Sequence, residues 1–473
     1  MKGGNNMKKI FAILAMATVL TTSCNDWLDI NTNPNYVADA EASMLLPTVQ
    51  LYTAEKVGYD ISLYGTFWSQ YVVQCNTTNQ YYTIMTNDVT NSTFTSVWSY
   101  FYASTLPRIK EIIAKSEAKG GSSNYILEAK SMLVYNLYLL TSLYDKVAYT
   151  EGYLTESQTP HFDSGENMQQ ILINLCKEIR EMDPTAVAAD ELLNISASSD
   201  MVFGGDTDAW FQFVNTLYLK ILMRDFDANK VEIQALLDED NFLADDAAFD
   251  NFSDQADKSN PLYESDRRQL NTTNNIRCCS DILKVLSKTD PRLKYFYDKN
   301  PGDSVVAGSP YGTTGDPNST SRLALYATEP VYFSTADEAE FLKAEAYARL
   351  NDATKAQAAY EAALTAAFTR VGFAAAAPTF IAGDYAFVAG TAEAMVEQII
   401  NQKWASNVHG LPIESWFDLN RTGYPTRGTT ITDDHGVLAS GYPQRFLYSK
   451  TSADYNPNSP EPEALNVKMW WHK

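Results

Sequence analysis

The chain has 473 residues, with 58 acidic against 36 basic side chains and a formal charge of −22 at pH 7. So acidic a surface argues against nucleic acid and anionic lipid as ligands, and its plainest meaning is solubility. The length would ordinarily suggest about three domains, yet no Pro/Ser-rich linker or compositional break separates autonomous cores.

At the N-terminus Lys8 and Lys9 head an apolar run over 10–20, and Thr21, Thr22 and Ser23 lead into Cys24. This is the pattern of an export leader ending at a cysteine. Lipid attachment needs a nucleophilic sulfur at the first mature residue, so Cys24 is the expected lipidation site; an ordinary signal peptide that happens to contain a cysteine is the alternative. Residues 1–23 then form the leader, 24–473 a single domain and 25–40 its tether, and loss of Lys2, Lys8 and Lys9 takes the charge of the mature chain to −25. The apolar run is about half of the ~20 residues that a spanning helix needs, and the best later stretch, 126–144, carries Glu128 and Lys130. Two or three acyl chains, at ~0.8 kcal/mol per buried methylene, suffice as an anchor.

Along the chain, helical periodicity runs over 125–144, 168–181, 208–224, 335–350, 353–370 and 391–406, lengths too great for strands. The fold class expected is mainly α. In 208–224 the residues Trp210, Phe211, Val214, Leu217, Tyr218 and Ile221 trace one wide apolar face behind the capping residues Asp206 and Thr207. Ala346, Tyr347, Asn351, Asp352, Ala356, Tyr360, Ala363 and Leu364 fall at the spacing of one tetratricopeptide hairpin, whose small residues let two helices approach. Glu338, Glu340 and Glu345 are assigned to the polar face of that hairpin. Long irregular segments rich in Asn, Asp, Ser, Gly, Pro and Tyr lie at about 238–273, 300–330 and 422–462, and are expected to be ordered, functional loops. Cys75, Cys176, Cys278 and Cys279 have neither metal-ligand nor redox-motif spacing, so no structural disulfide is expected, and Cys176 reads as a small core residue.

The stretch 127–150, from Leu127-Glu-Ala-Lys through Asp145-Lys-Val-Ala-Tyr149, resembles the helix and turn that mark SusD-like nutrient-binding lipoproteins, although the usual Gly-Asp-Val-Pro-Tyr turn is altered. Gly204-Gly-Asp-Thr-Asp-Ala-Trp210, Ser259-Asn-Pro261, Asp290-Pro-Arg-Leu293, Ala339-Glu-Phe-Leu-Lys-Ala-Glu-Ala346, Gln402-Lys-Trp404, Glu414-Ser-Trp-Phe-Asp-Leu-Asn-Arg421 and Pro443-Gln-Arg-Phe-Leu-Tyr448 follow in the family's order. The resemblance implies a helical scaffold containing tetratricopeptide-like pairs, with loops at one end building a ligand site. It also implies a partner, a SusC-like TonB-dependent outer-membrane barrel over which the lipoprotein acts as a lid, and a location on the outer face of the outer membrane.

Catalytic signatures are not found: there is no Gly-x-Ser-x-Gly elbow, no His-Glu-x-x-His helix, no Walker loop and no dinucleotide fingerprint. Asp433-Asp434-His435 reads as a solvated loop, and neither a metal nor a cofactor is assigned. The positive signal is aromatic, with 29 tyrosines and 8 tryptophans. Tyr64, Trp68, Tyr71, Tyr81 and Tyr82 interleave with Gln70, Gln74, Asn76, Asn79 and Gln80. Rings can stack on the CH faces of sugars while amides bond the hydroxyls. At helical spacing Tyr64, Trp68 and Tyr71 fit a core face better than a ligand face, whereas Tyr81 and Tyr82 lie outside that face. The loop 260–271 offers Tyr263, Arg267 and Arg268, with Asp266 or Glu264 as possible salt-bridge partners, and Tyr311 adds a further ring. The expected ligand site is therefore Trp68, Gln74, Asn79, Tyr81, Tyr82, Tyr263, Arg267 and Tyr311, binding a glycan. An oligopeptide binder of the same architecture and a lipid-anchored glycoside hydrolase are the alternatives.

Overall fold

A computed structural model describes residues 40–473 apart from 77, 79–80, 119–122, 185–197, 272–274, 299–304 and 428–440. Cys24 and the tether lie outside the described residues. Each periodic stretch forms the helix its pattern demands. Helix α1 spans Ala42–Lys56, α2 Ser62–Trp68, α3 Leu106–Ala118, α4 Ser123–Tyr144, α5 Gly165–Arg180, α6 Thr207–Leu222 and α7 Phe226–Glu239. Helices α8, Ala336–Arg349, α9, Ala353–Arg370, α10, Ala392–Ser406, and α11, Pro412–Thr422, follow. Oxygen-bearing side chains set several starts: Asp206 accepts from Ala209 N at 3.2 Å, Thr335 from Glu338 N at 3.2 Å and Asp352 from Lys355 N at 3.0 Å. Among the described helices none is long and apolar enough to cross a membrane.

Helix α4 is buried nearly throughout and packs against α3, α5 and α6, while α1 lies across α3 and α4. Helices α8 and α9 form the hairpin that the sequence spacing anticipates. Asn351, at φ +62°, turns the chain, and Ala346, Ala356 and Ala363 are fully buried where the two helices meet, so that Tyr360 comes within 6.4 Å of Phe341. Two antiparallel ladders are small by comparison: β1, Val72–Gln74, pairs with β3, Ile276–Cys278, and β2, Ala247–Phe249, with β4, Val331–Ser334. The three segments read as irregular also hold a one-turn helix at Pro261–Tyr263, a π-helical turn at Glu264–Gln269 and a helix at Lys450–Tyr455.

The family-like motifs turn inward. Asp290 and Arg292 form a fully buried pair at 2.8 Å, with Arg292 over the Phe368 ring at 4.0 Å and the Tyr385 hydroxyl donating to Asp290 at 2.6 Å. Asn260 caps Pro261–Tyr263 by accepting from Leu262 N at 3.0 Å, with proline at the first helical position. Gly65 lets α2 touch α11, since a Cβ there would sit 2.4 Å from Ile413 N.

Glu338 and Glu345 are not on a solvated face, as their helix position suggests. Both are about 1% exposed and belong to a buried charge network drawn from α6, α8, α10 and α11. Lys220 meets Glu338 at 2.8 Å and Glu414 at 3.3 Å, while Lys403 meets Asp418 at 2.9 Å and Glu338 at 3.5 Å. Arg421 grips both oxygens of Glu345 at 2.7 Å and also reaches Asp418, and Arg349 closes the chain on Glu345 at 2.8 Å. Four cations thus face four anions, and removing one member strands its partners in low dielectric. Lys403→Met is expected to lower unfolding stability by ~3–5 kcal/mol in urea titrations. The network also carries a pH dependence. Burial alone would raise Glu345 and Asp418, but Arg421 and Arg349 for the first, and Lys403 and Arg421 for the second, hold both below the usual carboxylate range. Their contribution is therefore complete above the unfolded pKa of ~4 and is lost as pH falls through the lower folded values. Glu414 opposes this in part, since burial, against the pull of Lys220, leaves it raised. Urea midpoints measured from pH 7 to about pH 3 should fall steeply only below pH ~4, and a flat profile would contradict a charged network.

Candidate functional site

Helix α2 carries Tyr64 and Trp68 one turn apart on the face it shows to the core, so the apolar spacing decides their fate. Trp68 is 2% exposed, packs within 5.1 Å of Tyr64, 5.0 Å of Trp416 and 5.5 Å of Phe446, and donates its indole N–H to Ile84 O at 3.2 Å. The Tyr71 hydroxyl is consumed between Trp404 O at 2.5 Å and Ser415 Oγ at 2.7 Å. Gln74 is fully buried on β1 opposite Ile276. Tyr81 is buried beside Asp266, whose carboxyl is raised by burial against the pull of Arg267, Asn275 and Tyr81 itself. Arg267 turns inward to Asp266 and donates to Leu323 O at 2.8 Å. Tyr311 is 5% exposed, and burial pushes its hydroxyl pKa up.

Trp68, Gln74, Tyr81 and Tyr311 are thus buried within the frame in this structure, and Arg267 is turned towards it. Asn79 lies outside the described residues. Tyr82 and Tyr263 remain half-buried at the surface, with the Arg268 guanidinium 5.4 Å from the Tyr263 ring. The two stand on separate segments.

A surface recess large enough for a chain ligand lies elsewhere, between α1 with its π-helical extension Val57–Ile61 and the segment 249–269. It holds about 870 Å³. Next to Tyr59, Gly58 packs against β4, where a Cβ would meet Val331 Cγ2 at 2.5 Å. The extra residue of a π turn swings Tyr59 out of the helix face that stays buried. Opposite stand Phe249 and Phe252, 5.3 Å apart at 56°, the second half-buried. The segment is held from below, since Ser259 Oγ donates to Glu264 at 2.6 Å and Arg268 pairs with Asp254.

Polar groups surround these rings. Lys56 bonds Asp60 at 2.6 Å and lies 4.7 Å from the Tyr100 ring centre, and the Tyr100 hydroxyl donates to Glu55 at 2.9 Å. Burial, with Glu55 second, raises the Tyr100 pKa, so this hydroxyl stays a donor at neutral pH. Asn251, Asp257, Lys258 and Gln269 complete an exposed rim of donors and acceptors. Among the described residues no group of three His, Cys, Asp or Glu side chains is placed to hold a metal ion. Half-exposed rings among hydrogen-bonding side chains can take a ligand with apolar faces and polar edges. The sequence signal for this recess is faint: a lone phenylalanine in the polar run 250–254, and a tyrosine one residue out of helical register.

A family model described as starch-binding and associating with the outer membrane matches residues 34–449. No curated protein sequence matches the chain. Among solved structures, a SusD homologue from Bacteroides uniformis aligns with TM-score 0.76 at 20% identity, over 91% of this chain and 99% of its own. A chitin-binding SusD homologue from Flavobacterium johnsoniae aligns with TM-score 0.75 at 20% identity over 91% and 97%, and a SusD-like protein from Bacteroides thetaiotaomicron with 0.74 at 18% over 91% and 98%.

The position of Trp68 separates frame from surface experimentally. Trp68→Ala removes a fully packed indole and should cost ~3–5 kcal/mol of unfolding stability, whereas Tyr82→Ala should stay within about 1 kcal/mol. Thermal and urea denaturation of the two variants checks this.

Proposed function

The chain belongs to the SusD-like family, and from that premise we propose that it is a cell-surface lipoprotein that binds a glycan in the recess between α1 and 249–269. The observation that carries the proposal is the recess itself: Tyr59 and Phe252 offer ring faces at the edge of an 870 Å³ cavity bordered by amide, carboxylate and amine groups. Sugar rings present CH faces to such rings and hydroxyls to such a rim, and the ligand need not be transformed. The chitin-binding relative supports a polysaccharide as the ligand class. Anchoring through acyl chains on Cys24 and delivery of the glycan to a TonB-dependent barrel, with this protein as its lid, complete the proposal.

The oligopeptide reading keeps one observation in its favour. Glu55, Asp60, Asp257 and Glu264 line the recess together with Lys56 and Lys258, and a peptide's termini and charged side chains could pair with them. Calorimetric titration of the mature chain with chitin-, starch- and hemicellulose-derived oligosaccharides and with mixed tripeptides distinguishes the two. An oligosaccharide should bind, and Tyr59→Ala and Phe252→Ala should each weaken it by about tenfold, the worth of a stacked ring. Peptide binding without glycan binding would replace the glycan reading, and unaltered glycan affinity in both variants would remove the ligand from this recess.

A further inference from the structure

A second cavity, of about 450 Å³, opens on the far side of the charge network, where 470–473 lies beside the C-terminal end of α11 and the start of α7. Its electrostatics differ from those of the rest of the molecule. Arg349 and Arg421 line it but are committed to Glu345. Glu393 is taken by Lys473 at 2.8 Å and the Tyr424 hydroxyl at 2.9 Å, and Asp225 caps α7 by accepting from Ala228 N at 3.3 Å. Arg224 is left over. It is 8% exposed, flanked by the rings of Tyr138 at 4.6 Å and Trp471 at 4.8 Å, and makes no ion pair within 4 Å among the described residues, Glu414 attracting it only from beyond that distance. Its Nη2 donates to Ser142 Oγ, whereas its buried Nη1 makes no hydrogen bond.

The neighbouring groups repeat that pattern. The indole nitrogens of Trp470 and Trp471 are buried without a partner, and so is His472 Nε2. Met469 N donates to His472 Nδ1 at 3.4 Å, which assigns the ring proton to Nε2 and makes that atom a donor. Burial, then Arg224, Arg427, Arg445 and Lys468, push the His472 pKa down to about 3, so the local field is positive in a chain that is strongly acidic overall. Four buried donors without acceptors, one of them a guanidinium, cost free energy unless an acceptor arrives. Neutral hydroxyls would satisfy them only in part, because each brings a donor of its own. A carboxylate brings acceptors alone and suits the planar guanidinium.

We propose that this cavity is a separate binding site for a carboxylate-bearing sugar of monosaccharide size, a uronic acid unit, with Arg224 as the charge partner and Trp471 and His472 as further donors. The carboxylate follows from the donors alone, and the sugar rests on the glycan reading above together with the Trp471 and Tyr424 rings in the wall. Because the bound carboxylate would be the close partner that Arg224 Nη1 lacks, Arg224→Met should abolish the response to the ligand.

The test is calorimetry and thermal shift of the mature chain at about 150 mM salt, where exposed charges more than ~8 Å apart are screened. The arms are galacturonate, glucuronate, galactose, acetate and sulfate. Uronates should bind at least about tenfold more tightly than galactose or acetate, and Arg224→Met should remove that difference, as loss of one charged hydrogen bond requires. His472→Phe, which leaves Arg224 untouched, should weaken uronates in the same direction and keeps the test open if Arg224→Met fails to fold. Tyr59→Ala should leave the uronate response intact, which separates this site from the glycan recess. Uronates binding no better than acetate or galactose, sulfate binding in preference to uronates, or full affinity in both Arg224→Met and His472→Phe would each overturn the assignment.

Discussion

Four buried anions and four cations, of which Arg349 is partly exposed, meet between α6, α8, α10 and α11 and constrain everything around them. Ion pairs in low dielectric tolerate little displacement, because each charge that loses its partner faces a desolvation cost of several kcal/mol. Lys220, Lys403 and Arg421 each touch two carboxylates, so none of these helices can slide without breaking contacts in another. The hydrophobic packing of α4 and of the α8–α9 hairpin supplies the bulk of the burial, and the network fixes the register in which those surfaces meet.

This division explains what can be read from the chain. The six helices read between 125 and 406 are legible because periodicity and capping are local: Asp206, Thr335 and Asp352 act within three residues of themselves. Helix α1 escapes such a reading, since Pro47 interrupts its interior pattern and its buried set includes Gln50 and Thr53. The burial of Glu338 and Glu345 is hidden as well. Their partners lie as far away in sequence as Lys220 and Arg421, and a glutamate on a helix carries no mark of being paired.

The candidate site is less legible, and the reason is chemical. An aromatic residue next to an amide has the same composition whether it packs a core or stacks on a ligand. Trp68 and Tyr82 differ only in what surrounds them, and for Trp68 that is settled by Trp416 and Phe446, which follow it far along the chain. The motifs that carry the family resemblance build the frame: Asp290 with Arg292, Lys403, Glu414 and Arg421 all bond to one another or to buried neighbours. They report the fold for that reason and are silent on what is bound. Tyr59 and Phe252, which border the recess, stand outside every one of those motifs.

Phe446 has a consequence for the order of events in folding. Its ring stacks on Phe94 at 4.2 Å, its N–H bonds Leu143 O at 2.6 Å, and the adjacent Arg445 donates to Tyr144 O at 2.7 Å. The aromatic centre around α2 is thus completed by a residue from near the other end of the chain, a closure of high contact order. A chain emerging N-terminus first, from a ribosome or through a membrane pore, keeps Tyr64, Trp68 and Phe94 without their last partner until residue 446 has arrived. Handling of the nascent chain over that interval, before any native state can form, is imposed by this one contact.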